Sequence, residues 1–124
     1  MAWGPLRYLY VGSADAARDI AFWERHLGKE AKVWDFTEFG TRVAGFRPGT
    51  GPLWIVAGHR SAPNVLPIFE VDDLETQVEG LRSSGWAPEG ETFEVPDGPC
   101  RIFKDPSGNE VCLMQVTRGA ALER

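Results

Sequence analysis

The spacing of hydrophobic residues changes along the chain, and each change predicts a new element of secondary structure. Residues 6–13 alternate in the manner of a strand and are rich in aromatic and branched side chains. Residues 16–27 carry apolar side chains one helical turn apart, and this stripe consists of Ala16, Ile20, Trp23 and Leu27. Asp15 suits the N-cap of such a helix, and Gly28 suits its C-terminal end. The opening of the chain therefore predicts a strand followed by a helix.

Three strand-like segments follow this helix, and the same order of elements then begins again. The three strands are predicted at residues 31–36, 42–47 and 53–57. A further strand is predicted at residues 65–71, after which Asp73 caps a second helix that Gly85 ends. Its stripe repeats the first one at an offset of 58 residues and consists of Leu74, Val78 and Leu81. The last three strands are predicted at residues 91–95, 101–104 and 110–116.

This repeated order predicts an α+β fold built from two tandem βαβββ units. The units span residues 6–57 and 65–116, and residues 117–124 form a short C-terminal tail. A chain of 124 residues is long enough to bury a substantial core, so we expect one domain spanning residues 1–124.

The turn that joins the last two predicted strands has a distinctive sequence. Asp105 can accept hydrogen bonds from backbone amides two residues on, Pro106 presets its φ angle, and either Gly108 or Asn109 can take the positive φ that closes the turn. Together with Asn109, these residues resemble the Asp-Pro-x-Gly-Asn signature of the vicinal oxygen chelate superfamily, which includes glyoxalase I, extradiol dioxygenases and bleomycin-resistance proteins. The resemblance covers residues 6–116. It implies the glyoxalase/bleomycin resistance/dioxygenase fold, in which the concave faces of the two units form a groove.

In metal-dependent members of this superfamily, the first and last strands of each unit send four metal ligands into the groove. Leu9 and Val11 are expected to pack under the first helix, which turns Tyr8 and Tyr10 towards the groove. With the repeat offset, the ligand positions of the superfamily fall on Tyr8, Trp54, Leu66 and Cys112. An indole and an isobutyl group supply no donor atom to a catalytic divalent ion. We therefore expect neither a metal ion nor another cofactor.

The predicted groove is instead rich in aromatic surface. Its expected lining consists of Tyr8, Tyr10, Trp34, Trp54, Leu66, Ile68, Cys112 and Met114, with Phe36 as an addition. Such a surface suits an aromatic or amphipathic small molecule, and the resemblance to bleomycin-resistance proteins implies binding or sequestration without chemistry. Two alternatives stay open. One is an enzyme, which is either metal-free with Glu38, Glu91 or Glu94 as acid/base residues, or of the lyase, isomerase or dioxygenase type. The other is a structural dimer whose own aromatic side chains fill the groove.

Charge and composition exclude several other classes of function. The net charge is −5 and no cluster of Lys or Arg interrupts it, so neither nucleic acid nor an anionic membrane is an expected partner. The N-terminus does not read as a signal peptide, and no apolar run approaches the roughly 20 residues of a membrane helix, which predicts a cytoplasmic protein. Cys100 and Cys112 are then expected to be free thiols, and His26 and His59 to have structural or solvated roles. The resemblance further implies a homodimer, because its members pair with two-fold symmetry.

Overall fold

The computed structural model of the chain describes residues 3–38 and 40–119. Two compact units form within them: one consists of residues 7–66, and the other combines residues 3–6 with residues 67–119. The order strand, helix, strand, strand, strand occurs twice along the chain. This order confirms the predicted α+β fold of two tandem βαβββ units. The last five residues of the predicted C-terminal tail lie outside the described residues.

The bounds of the helices and strands agree closely with the sequence pattern. The first half contains β1 (Leu6–Gly12), α1 (Ala16–Leu27), β2 (Lys32–Glu38), β3 (Thr41–Phe46) and β4 (Leu53–Ala57), with a short 3-10 turn at Lys29–Ala31. The second half contains β5 (Val65–Glu70), α2 (Leu74–Ser83), β6 (Glu89–Val95), β7 (Gly98–Lys104) and β8 (Glu110–Met114). The largest difference is at β7, which begins three residues before the predicted start because Pro99 is tolerated near the beginning of a strand. Neither helix in the described part of the chain is long and apolar enough to cross a membrane.

The strands of each half are arranged in the same way. In the first half the order across the sheet is β2, β3, β4, β1, and in the second half it is β6, β7, β8, β5. The first strand of each half runs parallel to the last, so β1 pairs with β4 and β5 pairs with β8. The remaining neighbours within each half are antiparallel. Each half therefore places its first and last strands side by side.

Both helices begin at the predicted caps. The side chain of Asp15 accepts a hydrogen bond from the backbone N–H of Arg18 at 3.1 Å, and Asp73 accepts one from Thr76 at 3.1 Å. These bonds satisfy one of the backbone donors that every helix start leaves without an intrahelical partner. Gly28 follows α1 with a φ of 91°, a conformation that favours glycine.

In the first unit, α1 packs on one face of the sheet, and an ionic network connects α1 with β2 and β3. The buried cluster consists of Ile20, Ala44, Phe46 and Val56, with Ala16, Trp23, Leu27 and Trp54 packed against it. Lys32 on β2 binds Glu24 of α1 and lies 3.0 Å from Asp35. Asp35 also receives two hydrogen bonds from Arg42, at 3.0 and 2.6 Å. This pairing with Arg42 is the main reason that the pKa of Asp35 is lowered.

In the second unit, α2 covers the sheet in the same manner. The buried cluster consists of Val71, Leu74, Val78, Phe103 and Leu113, with Trp3, Phe69, Leu81, Trp86 and Val111 packed against it. The indole N–H of Trp86 donates to the carbonyl of Lys104 at 2.7 Å. These contacts bring Trp3 and Trp86, which lies three residues beyond the end of α2, into one core.

The turn between β7 and β8 has the predicted construction. The carboxylate of Asp105 accepts hydrogen bonds from the backbone N–H groups of Ser107 and Asn109, at 2.9 and 2.8 Å. It also accepts one from the Asn109 side chain at 2.9 Å, and this bond is the largest cause of the lowered pKa of Asp105. Gly108 has a φ of 89°, which a side chain would strain.

The ionic network of the first unit allows a test by substitution and pH. Asp35→Asn removes one carboxylate that binds both Lys32 and Arg42, so we expect a loss of about 1–2 kcal/mol in the free energy of unfolding at pH 7. Because the folded-state pKa of Asp35 is lowered, its contribution is present above the unfolded pKa and fades as the pH falls below about 4. Urea unfolding of both proteins at pH 7 and near pH 2.5 measures this difference.

A matched control is the Glu79–Arg82 pair on α2, whose side chains are 70% and 49% exposed. Glu79→Gln is expected to change stability by less than about 0.5 kcal/mol, because exposed pairs contribute little. An Asp35→Asn effect no larger than this control, or one that persists at low pH, would show that the network does not stabilise the unit.

Candidate functional site

The pairing of β1 with β4 decides which side chains share a face in the first unit. Tyr8 pairs with Leu53 and Tyr10 pairs with Ile55 across this parallel ladder. Leu9, between the two tyrosines, pairs with Trp54. Because side chains alternate along a strand, Tyr8, Tyr10, Leu53 and Ile55 lie on one face and Leu9 and Trp54 on the other. Tyr8 is fully buried and Tyr10 is 4% exposed.

Trp54 lies on the helix face, which contradicts its predicted position in the groove. Its ring meets that of Trp23 on α1 edge to face, with centroids 5.3 Å apart. Its indole N–H is buried, and no hydrogen-bond partner for it is found among the described residues. The prediction had matched Leu53 with Val111 and Trp54 with Cys112, which is wrong by one residue. A slip of one residue moves every side chain of a strand to the opposite face.

The face of the first unit that points away from α1 carries a partly exposed aromatic pair. Trp34 pairs with Gly45 across β2 and β3, and Phe36 pairs with Val43, so all four residues share the face of Ile55. The Trp34 ring lies directly over Gly45, where an added Cβ atom would be 2.6 Å from the indole. The Trp34 and Phe36 ring centroids are 4.8 Å apart and tilted by 35°. The absence of a side chain at Gly45 thus leaves room for the indole against β3.

A histidine that the sequence pattern had assigned to a structural or solvated role lies beside this face. The ring of His59 meets the ring of Tyr10 edge to face, with centroids 6.2 Å apart. Neighbouring protein atoms partly desolvate the imidazole and the charge of Arg60 opposes its protonation, so the pKa of His59 is lowered. His59 therefore carries a neutral imidazole at pH 7. The loop position of His59 gave no signal of this contact in the sequence.

In the second half of the chain, β5, β7 and β8 place a different set of residues on the face that points away from α2. Ile68 pairs with Cys112, and Cys100 pairs with Met114. Phe69 and Leu113, which alternate with them, pack into the core under α2. Leu66 shares the face of Ile68 on β5 because it lies two residues earlier. The buried residues in this set are Leu66, Ile68, Cys100, Cys112 and Met114, each at most 1% exposed.

The strand register revises one of the four positions at which the superfamily holds metal ligands. Tyr10 and Ile68 correspond in the repeat, and their partners are Ile55 and Cys112, so Ile55 replaces Trp54. The revised positions are Tyr8, Ile55, Leu66 and Cys112. Two aliphatic side chains supply no donor, and the described residues contain no group of three or more His, Cys, Asp or Glu side chains able to hold a metal ion. This set of residues does not fit a catalytic divalent metal.

Of the three glutamates considered as acid/base residues, the structure describes the side chains of Glu91 and Glu94. The side chain of Glu38 lies outside what the structure describes. Glu91 is exposed on β6. Glu94 forms an ion pair with Arg118, whose guanidinium lies 2.6 Å from its carboxylate.

A cleft of ≈630 Å³ lies between α2 and the outer strands of the second unit. It is lined by Asp73, Leu74, Glu75, Val78, Glu79, Arg82, Thr92, Pro99, Arg101 and Gln115. Arg101 points under the helix at the position that Ala44 has in the first unit, since it pairs with Leu113 on the core face. Its guanidinium donates to the Thr92 hydroxyl and to the Gly90 carbonyl, at 3.3 and 2.9 Å. The sequence analysis missed this cleft.

Comparisons with known proteins agree with this architecture. A family model described as Glyoxalase-like domain matches residues 8–114. The chain is similar to the crystal structure of methylmalonyl-CoA epimerase from Mycobacterium tuberculosis, with a TM-score of 0.75 and 19% identity over 98% of this chain and 96% of that one. It is also similar to a glyoxalase/bleomycin resistance protein/dioxygenase superfamily member from Vibrio splendidus 12B01, with a TM-score of 0.62 and 15% identity over 90% of this chain and 98% of that one. Identities this low show a shared fold. No curated protein sequence matches the chain.

The position of Trp54 under α1 predicts how its substitution affects stability. Trp54→Ala removes a ring from the α1 layer and is expected to lower the free energy of unfolding by about 3 kcal/mol. Trp54→Phe keeps a ring and removes an N–H for which the described residues provide no hydrogen-bond partner, so we expect a loss below about 1.5 kcal/mol. Chemical denaturation followed by circular dichroism measures both values. Equal losses for the two variants, or a negligible effect of Trp54→Ala, would contradict the helix-face position.

Proposed function

This chain belongs to the glyoxalase-like domain family of the vicinal oxygen chelate superfamily, and we propose that it binds an aromatic or amphipathic small molecule without a divalent metal ion. The observation that supports this proposal most directly is the Trp34–Phe36 pair. Both rings are only partly buried, whereas their neighbours on the same face are almost fully buried. A planar ligand would stack on the rings that retain accessible surface.

The size of the aromatic pair is sufficient for useful affinity. An aromatic side chain buries about 150–250 Å² when fully covered. Partial coverage of two rings, at about 25 cal/mol per Å² of apolar surface, provides several kcal/mol, and micromolar binding requires about 8 kcal/mol in total. Polar groups at the edge of the site would supply the remainder and the specificity.

The wider set of ligand-contacting residues stays a prediction. Its buried members are Tyr8, Tyr10, Leu66, Ile68, Cys112 and Met114. Side chains this deeply buried offer little surface to a ligand, so in our proposal Tyr8 and Tyr10 support the face of the first unit, and Trp34 and Phe36 form the contact surface. Trp54 is removed from the set because it packs against α1.

A second candidate is a metal-free enzyme, and the contact between His59 and Tyr10 supports it. A neutral imidazole is able to accept a proton from a substrate, and a lowered pKa keeps it neutral at pH 7. Catalysis of this kind would be lost as the pH falls and His59 becomes protonated. Binding without turnover remains our preferred proposal, because the Trp34–Phe36 pair offers a stacking surface whatever the role of His59.

We also propose that the chain pairs as a homodimer in the cytoplasm. In the first unit β2 is an edge strand, and in the second unit β6 is one. Strand edges that lack a partner favour pairing with another chain, and two-fold contacts are the commonest closed arrangement.

Ligand stacking is tested with N-phenyl-1-naphthylamine, a neutral aromatic probe whose emission rises on binding. We expect saturable binding by the parent protein and at least about tenfold weaker binding by Trp34→Ala, because both stacking and contact area are lost. Trp86→Phe is the matched control, since Trp86 packs in the core of the second unit and should not alter affinity. Unchanged affinity in a folded Trp34→Ala protein would overturn the stacking proposal, and turnover of a bound compound would favour the enzyme.

Independence from divalent metal is tested by thermal unfolding. A metal ion that binds only the folded state raises Tm with the logarithm of its concentration. We expect no change of Tm when EDTA is added or when zinc, nickel or manganese is supplied, because Tyr8, Ile55, Leu66 and Cys112 offer too few donors. About one zinc, nickel or iron ion per purified chain, together with a lower Tm after chelation, would contradict the proposal.

A further inference from the structure

The cleft beside α2 combines an apolar lining with charged residues at its opening. Its apolar side chains are the buried Leu74 and Val78 of the helix and the partly buried Pro99 of β7. Its volume of ≈630 Å³ falls within the range of about 300–1,000 Å³ that is usual for small-molecule pockets. The exposed charged residues at the start of α2 and along it are Asp73, Glu75, Glu79 and Arg82. The cleft is therefore large enough for a small organic ligand.

Arg101 brings a positive charge into this cleft without a carboxylate to balance it. Its side chain is partly buried on the face of β7 that packs under α2. Within residues 3–38 and 40–119, no carboxylate lies within ion-pair distance of its guanidinium, and its buried Nε–H has no hydrogen-bond partner. A charge withdrawn from water is normally paired with an opposite charge, because desolvation without such a partner is costly. A bound anion would supply the missing pairing.

An irregularity in β6 fixes the position of this guanidinium. Residues 89–93 of β6 oppose residues 100–102 of β7, so five residues of the outer strand face three of its neighbour. Arg101 stands opposite this bulge and donates to the Gly90 carbonyl at 2.9 Å and to the Thr92 hydroxyl at 3.3 Å. Bulges re-aim side chains and are frequent beside functional sites. A guanidinium already held by two hydrogen bonds loses little further freedom when a ligand binds.

Two further side chains offer hydrogen-bond donors to the same cleft. The side-chain oxygen of Gln115 accepts from the backbone N–H of Leu74 at 2.9 Å, which leaves its amide N–H groups without a partner in the described part of the chain. The Thr92 hydroxyl accepts from Arg101, and its own O–H has no acceptor among the described residues. An ionised carboxylate is acceptor-only and takes several hydrogen bonds. A cleft lined by these donors therefore favours a carboxylate.

We propose that the cleft beside α2 binds a small molecule that carries one carboxylate on an aliphatic group. The carboxylate pairs with the guanidinium of Arg101, whose planar shape matches it. The aliphatic group packs against Val78 and Pro99, since the described lining contains no aromatic ring. A single negative charge suits the site better than a phosphate dianion, because Glu75 and Glu79 repel additional negative charge.

This site is separate from the ligand surface proposed for the first unit. Trp34 and Phe36 lie in residues 7–66, whereas the residues that line the cleft lie in residues 67–119. An aliphatic probe has no ring to stack on Trp34, so its binding reports on the cleft. Failure of one proposal leaves the other untouched.

The test is a titration with hexanoate at pH 7, followed by heteronuclear NMR of the isotope-labelled protein. We expect saturable shifts of the backbone amides of α2 and β7 and of the buried Nε–H of Arg101. Hexanamide has the same chain length without the charge and should bind at least about tenfold more weakly, because hydrogen bonds between charged groups are the stronger ones. Hexyl phosphate should also bind more weakly than hexanoate.

Substitution of Arg101 tests the pairing directly. Arg101→Gln should lower the affinity for hexanoate at least about tenfold, and Arg101→Lys, which keeps the charge, should lower it less. Arg118→Gln is the matched control and should bind as the parent does, since Arg118 is an exposed arginine that pairs with Glu94 and does not line the cleft. Far-ultraviolet circular dichroism and Tm confirm that each variant is folded.

The comparison of probes on the parent protein tests the site even if a variant fails to fold. Absence of saturable binding, equal affinity for hexanoate and hexanamide, or shifts confined to residues 7–66 would each overturn the proposal. Full affinity in a folded Arg101→Gln protein would do the same, and hexyl phosphate binding as tightly as hexanoate would overturn the assignment to a carboxylate.

Discussion

In each half of the chain, the first and last strands lie side by side and run parallel, although a helix and two further strands separate them in sequence. A parallel ladder has a fixed register, and the register decides which residues lie under the helix. Tyr10 beside Ile55 and Ile68 beside Cys112 are direct results of this pairing. The composition of both non-helical faces, and so any chemistry they support, depends on it.

The two units share this strand pairing, but different side chains pack between the helix and the sheet in each of them. In the first unit Trp23 and Trp54 fill the space, and the side chains of Glu24, Lys32, Asp35 and Arg42 form a network along its side. In the second unit Arg101 occupies the position of Ala44, and its guanidinium turns to Thr92 and Gly90 on β6. A large polar side chain at a core position cannot pack as an apolar one does, which leaves the cleft beside α2.

The sequence was most informative where structure depends on local interactions. The caps at Asp15 and Asp73 and the turn at Asp105 involve bonds between residues close in sequence, and all three were predicted. The face of Trp54 depends on register between distant strands, which a repeat reveals only if it is aligned correctly. Gly28 and Gly85 lie 57 residues apart, whereas the helix stripes lie 58 apart, so the alignment changes at the helix ends. The sequence analysis placed the one-residue gap in the loop before the last strand of each unit instead, and this assigned Trp54 to the wrong face of β4. No local pattern indicated the contact of His59 with Tyr10 or the position of Arg101.

The replacement of metal ligands by Tyr8, Ile55, Leu66 and Cys112 changes what stabilises the two faces. A divalent metal site requires several polar donors, each held by further hydrogen bonds, and its stability depends on the ion. Here these four residues are at most 1% exposed, so burial of apolar surface provides the stability. In the first unit the residues that stay accessible include aromatic rings and a neutral imidazole, which favour stacking and proton acceptance.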